Sequence, residues 1–344
     1  AIITMQENFY SVHKTLVGHT DSISCLQFSP KGHLLASGGD DSQLIIWETS
    51  TGTIRHQITT LSPVFAMVWD PRYKSRLFFG CENGKTLLID RFQGPDHEVL
   101  TGTAAPVYAL DIDAVTGHLA IGIGSEVHVA QEISGNTFAT FTILPKPADL
   151  SDMLPDSRVR PRSVHFLKNG TRLIVSYLNH GIICWDLKTR DALWHIIPPL
   201  SRRQMYISVF LHASTNIYAT SGYAALSHNA RYLLVSNMNI GMNLYALGEK
   251  EPLQSFLQPT NTGINFPLGV SFLHGGRSVV CGSQTGSVKI WETLSGEHLQ
   301  TLEHKGMCII LLAYQGNTFA YIAVGSVGTA EETHITLWRA TGGT

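Results

Sequence analysis

Sixteen histidines, 26 carboxylates and 24 basic side chains give the chain ample chemistry on paper, and spacing decides how much of it is usable. A zinc hydrolase would place two histidines four apart around a glutamate, and a structural zinc site would pair cysteines or histidines at short intervals. Neither pattern occurs, so no metal ligand is assigned. Ser37, His19 and Asp41 fall within one short stretch, but a nucleophilic serine of this kind sits on a G-x-S-x-G elbow. That motif is absent, and Ser37 ends the apolar run from Leu34, so no catalytic residue is nominated. Cys25, Cys81, Cys184, Cys281 and Cys308 are odd in number and form no C-x-x-C pair. They read as buried, reduced thiols in a reducing compartment.

The elements around Ser37 are easier to read than any site. Ile23 to Phe28, Leu34 to Ser37 and Leu44 to Trp47 are rich in strand formers, with a fourth run from Thr53 to Ile58. Ser29-Pro30-Lys31-Gly32 and Gly38-Gly39-Asp40-Asp41 punctuate them as turns. An antiparallel sheet of this kind is apolar on both faces and cannot bury them alone, so it demands stacked neighbours. Composition agrees: 44% hydrophobic residues against 15% charged is what sheets covered on both faces require.

Gly18-His19, the Ser-Gly-Gly-Asp-Asp turn ending at Asp41, and Trp47-Glu48 resemble the repeat of the WD-repeat β-propeller family, with Glu48 in place of the usual aspartate. The resemblance implies an all-β fold, a single seven-bladed propeller of four-stranded antiparallel blades. It also implies that Trp47, Ser37, His19 and Asp41 form a hydrogen-bonded tetrad that is structural and not catalytic. Aligning the chain on the end of the third strand puts Trp47, Ile89, Ala130, Trp185, Tyr245, Trp291 and Trp338 in one column. The intervals are 42, 41, 55, 60, 46 and 47 residues, most of them matching the roughly 40 to 45 of one blade. The blades run at about 18–58, 59–102, 103–143, 144–197, 198–257, 258–302 and 303–338. The last has only three strands, and an orphan strand at 9–16 is expected to complete it, closing the ring and removing a free sheet edge. Outside the first blade the tetrad decays: Asn83, Asn179, Asn239 and Thr285 occupy the Asp41 column, and only His304 stands loosely in the histidine's place. One polar staple is therefore expected, with packing holding the rest.

Three departures from the repeat are candidates for function. Two insertions, Leu144 to Pro161 and Pro198 to Ser221, join the fourth strand of one blade to the first of the next, which by the family's topology is the top face. Arg158, Arg160, Arg202 and Arg203 are candidate ligands for an acidic or phosphorylated peptide, with Met205 and Tyr206 as an apolar anchor. Asp149, Asp152 and Asp156 could instead neutralise them. A third elaboration, Ser326 to Thr333, enlarges a turn on the same face. Finally, the first-strand column of Gln27 contains Val68, Asp111, His165, Ala225, Ser271 and Leu311, which sets Asp111 and His165 at equal heights in neighbouring blades. That pairing reads as structural, with no contact and a ligand or catalytic role as alternatives.

A net charge of -2 gives no global field for a polyanion, which argues against a sequence-independent nucleic-acid binder, and no apolar run suits a membrane span. The N-terminus shows no secretory pattern. The expectation is a non-enzymatic, cytoplasmic or nuclear scaffold without cofactors, a monomeric ring within a larger complex. It would bind a protein or peptide through its top face and channel mouth; the alternative is a small-molecule-binding or catalytic propeller using the central funnel.

Overall fold

The computed structural model describes residues 10–148, 158–198, 221–238, 240–258, 268–328 and 333–341. Among them, 28 strands form seven four-stranded antiparallel sheets. The first is β2 (Ile23–Phe28), β3 (Leu34–Gly39), β4 (Gln43–Glu48) and β5 (Ile54–Thr59), paired in that order from the channel outward. Its inner strands are buried on both faces, whereas β5 is exposed at every second residue. Stacking on neighbours covers the former and leaves one solvated outer edge.

The seventh sheet has the order β1 (Ser11–Leu16), β28 (Ile335–Thr341), β27 (Phe319–Val327) and β26 (Met307–Gln315). The N-terminal strand thus supplies the outer strand of the last blade, in register from Ser11 opposite Arg339 to Leu16 opposite Ile335. Leu16 is sealed in a cluster with Ile335, Leu337 and Ile23, so closure is made by side chains as well as by the ladder. A second lock joins blades seven and six: Tyr10 N–H donates to Gln300 Oε1 and Gln300 Nε2 donates to Tyr10 O, both at 2.9 Å.

Blade-to-blade packing follows a rule that alignment on aromatic ends hides. Near the end of each second strand the register places a small residue, Gly38, Gly80, Gly122, Ser176, Ser236, Gly282 or Gly325. A Cβ at Gly38 would lie 2.6 Å from Val64, and one at Gly325 would lie 2.7 Å from Ile23. The first strand of the next blade presses into the notch that glycine leaves. Where the residue is serine, the hydroxyl bridges instead: Ser176 Oγ donates to Gly222 O at 2.9 Å, and Leu268 N donates to Ser236 Oγ at 3.2 Å. All five cysteines are buried and unpaired in this packing.

Direction is set by topology. First strands start, and second-to-third-strand turns lie, on the side where each fourth strand hands over to the next blade. We call this side the top.

Candidate functional site

In the first blade Asp41 Oδ1 and Oδ2 lie 3.0 Å from His19 Nδ1, His19 Nε2 lies 2.8 Å from Ser37 Oγ, and Trp47 Nε1 donates to Ser37 Oγ at 2.8 Å. A carboxylate only accepts, so Nδ1 carries the proton in its contact with Asp41. Asp41 also caps its own turn by accepting from Thr20 N at 2.8 Å and Gln43 N at 3.0 Å. The His19 side chain is buried and its ring is used at both nitrogens. Nothing in this arrangement leaves a nucleophile exposed.

Polar stapling is not confined to the first blade, contrary to the sequence expectation. In blade three His128 lies on the third strand and is fully buried; its Nε2 meets Glu126 Oε2 at 2.9 Å and its Nδ1 meets Thr140 Oγ1 at 3.1 Å. Thr103 Oγ1 donates to the same Glu126 oxygen at 2.9 Å. The bonds from His128 and then Thr103 hold the Glu126 carboxyl below its ordinary range. Blade five uses amides: Asn237 Nδ2 donates to Asn243 Oδ1 at 2.9 Å, and Asn243 Nδ2 to Ser255 Oγ at 2.8 Å. On the bottom, Asp70 is fully buried, gripped by Arg72 at 2.7 Å and approached by Arg76 at 3.6 Å; Arg76 also reaches Glu132 and Asn136 of blade three. His304, the loose counterpart of His19, does something else: its Nδ1 meets Thr336 Oγ1 at 2.9 Å and its ring stacks on His334 at 4.6 Å. Burial, and then His334, push it down to about 4. Thr140, Asn243, Ser255, Glu132 and Thr336 come from neighbouring strands or blades, and the Glu126 and Arg72 partners lie two residues away, outside the positions that a search of the blade-one columns covers.

The channel wall carries a second pattern. The ladder between first and second strands slips by one residue near the top of the first strand at Ile23/Cys25, Val64/Ala66, Val107/Ala109 and Pro161/Ser163. The unpaired residues are Ser24, Phe65, Tyr108 and Arg162, and a bulge re-aims the side chain it releases. All four line a central cavity of about 180 Å³ together with His165 and Tyr223. Phe65 and Tyr108 stack with centroids 6.3 Å apart and planes inclined by 8°, and the Arg162 guanidinium lies 4.6 Å from the centre of the Tyr108 ring.

Asp111 and His165 do sit on adjacent first strands, but each bonds to backbone: Asp111 Oδ2 accepts from Phe166 N at 2.7 Å, and His165 Nε2 donates to Ala224 O at 2.8 Å. Burial raises the Asp111 pKa, and His165 opposes the rise. In blade seven Leu312, not Leu311, shares their column, because Ala313 pairs with Ile322 opposite Trp338.

Arg158 and Arg160 stand at the foot of β14 (Pro161–Leu167), at the top face, with Arg158 exposed and Arg160 partly so. Arg202, Arg203, Met205 and Tyr206, together with Asp149, Asp152, Asp156 and Asn239, lie outside the described residues. In the third elaboration, Ser326 and His334 bond reciprocally and Gly328 N donates to Ser22 Oγ at 3.2 Å, joining blades seven and one. Among the described residues no group of three or more His, Cys, Asp or Glu is placed to hold a metal ion, and no helix is long and apolar enough to cross a membrane.

Comparison with known proteins bears on the fold and on its first repeat. Residues 10–48 match the family model described as WD domain, G-beta repeat. A ribosome biogenesis protein BOP1 homolog of Culex quinquefasciatus is 26% identical over 174 residues, 44% of this chain and 20% of the relative. The small ribosomal subunit protein RACK1 of Candida albicans is 36% identical over 62 residues, 18% of this chain and 20% of the relative. The matched stretches thus span about a fifth of these curated relatives. The Cps50 (Swd1) β-propeller domain of Myceliophteria thermophila superposes with a TM-score of 0.71 over 96% of this chain and 99% of that one, at 17% identity. The chain thus matches a WD repeat at its first blade and folds as a seven-bladed β-propeller of four-stranded sheets closed by its N-terminal strand.

Proposed function

We propose that the protein is a non-enzymatic interaction scaffold that binds a protein or peptide at its top face and channel mouth. The carrying observation is that the two longest stretches between consecutive described strands, from Ile143 to Pro161 and from Ile196 to Ser221, leave the same face of adjacent blades. Exposed apolar side chains do not choose a face, since Leu61 and Leu257 on top are matched by Val115 and Leu253 below. Long loops on a rigid ring are where binding residues concentrate. Arg158, Arg160, Arg202 and Arg203 would grip an acidic or phosphorylated segment, and Met205 and Tyr206 would anchor it. The names of the partial relatives, a ribosome biogenesis protein and a small ribosomal subunit protein, favour an intracellular place as one ring within a larger assembly. Fold alone does not supply a partner.

The test reverses charge: Arg158→Glu with Arg160→Glu, alone and with Arg202→Glu and Arg203→Glu, scored for stability and for recovered partners side by side. Partner loss with an unchanged melt is expected. Retention of every partner by the fourfold variant would remove the loops from the reading. The second reading, a small molecule in the funnel, draws on the 180 Å³ cavity. It predicts a melting shift with metabolites and none with peptides.

A further inference from the structure

The channel holds a cation that pairs with no carboxylate among the described residues. Arg162 is released from the ladder by a bulge, lies against Tyr108 and lines the cavity. Its Nε is buried and donates to no acceptor among the described residues. Arg162 takes part in no ion pair with another described residue. Asp111, the carboxylate on the neighbouring first strand, accepts from Phe166 N and faces His165. His165 in turn spends its Nε2 proton on Ala224 O. A half-buried guanidinium with spare donors costs free energy unless something accepts from it, and a cation lying on an aromatic face is steadied without consuming its N–H groups. Phe65 behind Tyr108 fixes the ring that fixes the arginine. The cavity, at about 180 Å³, exceeds the roughly 150 Å³ sites that accept a benzene ring, so one side chain fits.

We propose that Arg162, braced by Tyr108 and Phe65, is an oxyanion subsite inside the channel mouth that takes the carboxylate or phosphate of a single peptide side chain inserted from the top. The subsite rests on the scaffold reading for its peptide, but it is separate from the loop arginines and adds a residue that the family pattern does not mark. Two N–H donors of one guanidinium match two oxygens of either anion, giving a bidentate contact. The aromatic pair would pack the methylene stem of the incoming side chain.

The experiment titrates the intact protein with three blocked peptides, glycine–X–glycine with X as glutamate, phosphoserine or glutamine, following Arg Nε–H resonances by NMR. Arg162→Met keeps the apolar stem on Tyr108 and removes the charge; Tyr108→Leu removes the brace. Saturable binding of the glutamate or phosphoserine peptide but not the glutamine peptide is expected, and whichever binds tighter identifies the source of the anion. Arg162→Met should weaken it at least about tenfold while melting like the parent. Tyr108→Leu should weaken it less. Equal binding by Arg162→Met, equal binding of the glutamine peptide, or no binding of either anion at millimolar peptide would overturn the subsite. Those outcomes leave the loop test untouched, since no variant here alters residues 144–160 or 198–220.

Discussion

Replacing Asp41 by alanine tests the one site in which each hydrogen bond can be counted. Three donors lose their acceptor. His19 Nδ1 sits in a side chain with 1% relative exposure, so water cannot replace the carboxylate there; a buried donor left unsatisfied costs about 1–3 kcal/mol. Thr20 N and Gln43 N lie nearer the surface and can turn to solvent, which reduces their share to about 0.5–1 kcal/mol between them. Loosening His19 also weakens the Ser37 link to Trp47, though the losses overlap and do not simply add. The expected destabilisation of Asp41→Ala is about 2–4 kcal/mol. Asn83→Ala, at the equivalent turn of blade two, removes only an exposed acceptor 3.1 Å from Lys85 N and should cost less than about 1 kcal/mol. Urea unfolding followed by tryptophan fluorescence, with unchanged slopes, reads both. A cycle with Ser37→Ala should show coupling above about 0.5 kcal/mol. Equal shifts for Asp41→Ala and Asn83→Ala, or no coupling to Ser37, would refute the reasoning.

Two further outcomes are expected. His304 is held neutral by burial, its pKa lowered to about 4 from the ordinary 6.5, so the unfolded chain binds the extra proton between those values. The stability it contributes is complete above pH 6.5 and is lost as the pH falls toward 4, at about 1.4 kcal/mol per pH unit and roughly 3 kcal/mol in all. His304→Gln should flatten that slope in chemical melts across the window; an unchanged slope would show that His304 does not control it. Deleting residues 1–16 strips β28 of its outer partner and uncovers the cluster around Ile335 and Leu337. Aggregation by light scattering and a lowered melt are expected, and a monomer that melts like the parent would contradict closure by β1.

Much of the ring was legible in the chain itself, because the signals involved are short-range. Turn residues, runs of β-branched and aromatic side chains, and an apolar, mostly aromatic position near the end of each third strand are local events, and their repetition counts the blades. The missing strand of the last blade and the orphan strand before the first followed from the same count, and Trp47, Ser37, His19 and Asp41 lie within one repeat. What the tertiary structure alone decided depends on contacts between repeats or on shifts of one residue within them. Gly38 is small because Val64 of the next blade occupies the space of its Cβ, and Asp70 is buried beside an arginine that reaches Glu132 and Asn136 of blade three. Asp111 and His165 share a height, as their column implies, yet backbone groups of neighbouring strands satisfy each before they can pair. Arg162 is the clearest case. Counted along the strand it is one more polar residue after Pro161, but a single unpaired position in the ladder releases it onto the face of Tyr108 inside the channel. A bulge changes which way a side chain points without changing the residue pattern that announces the strand, so its consequence can be seen only once the strands are paired.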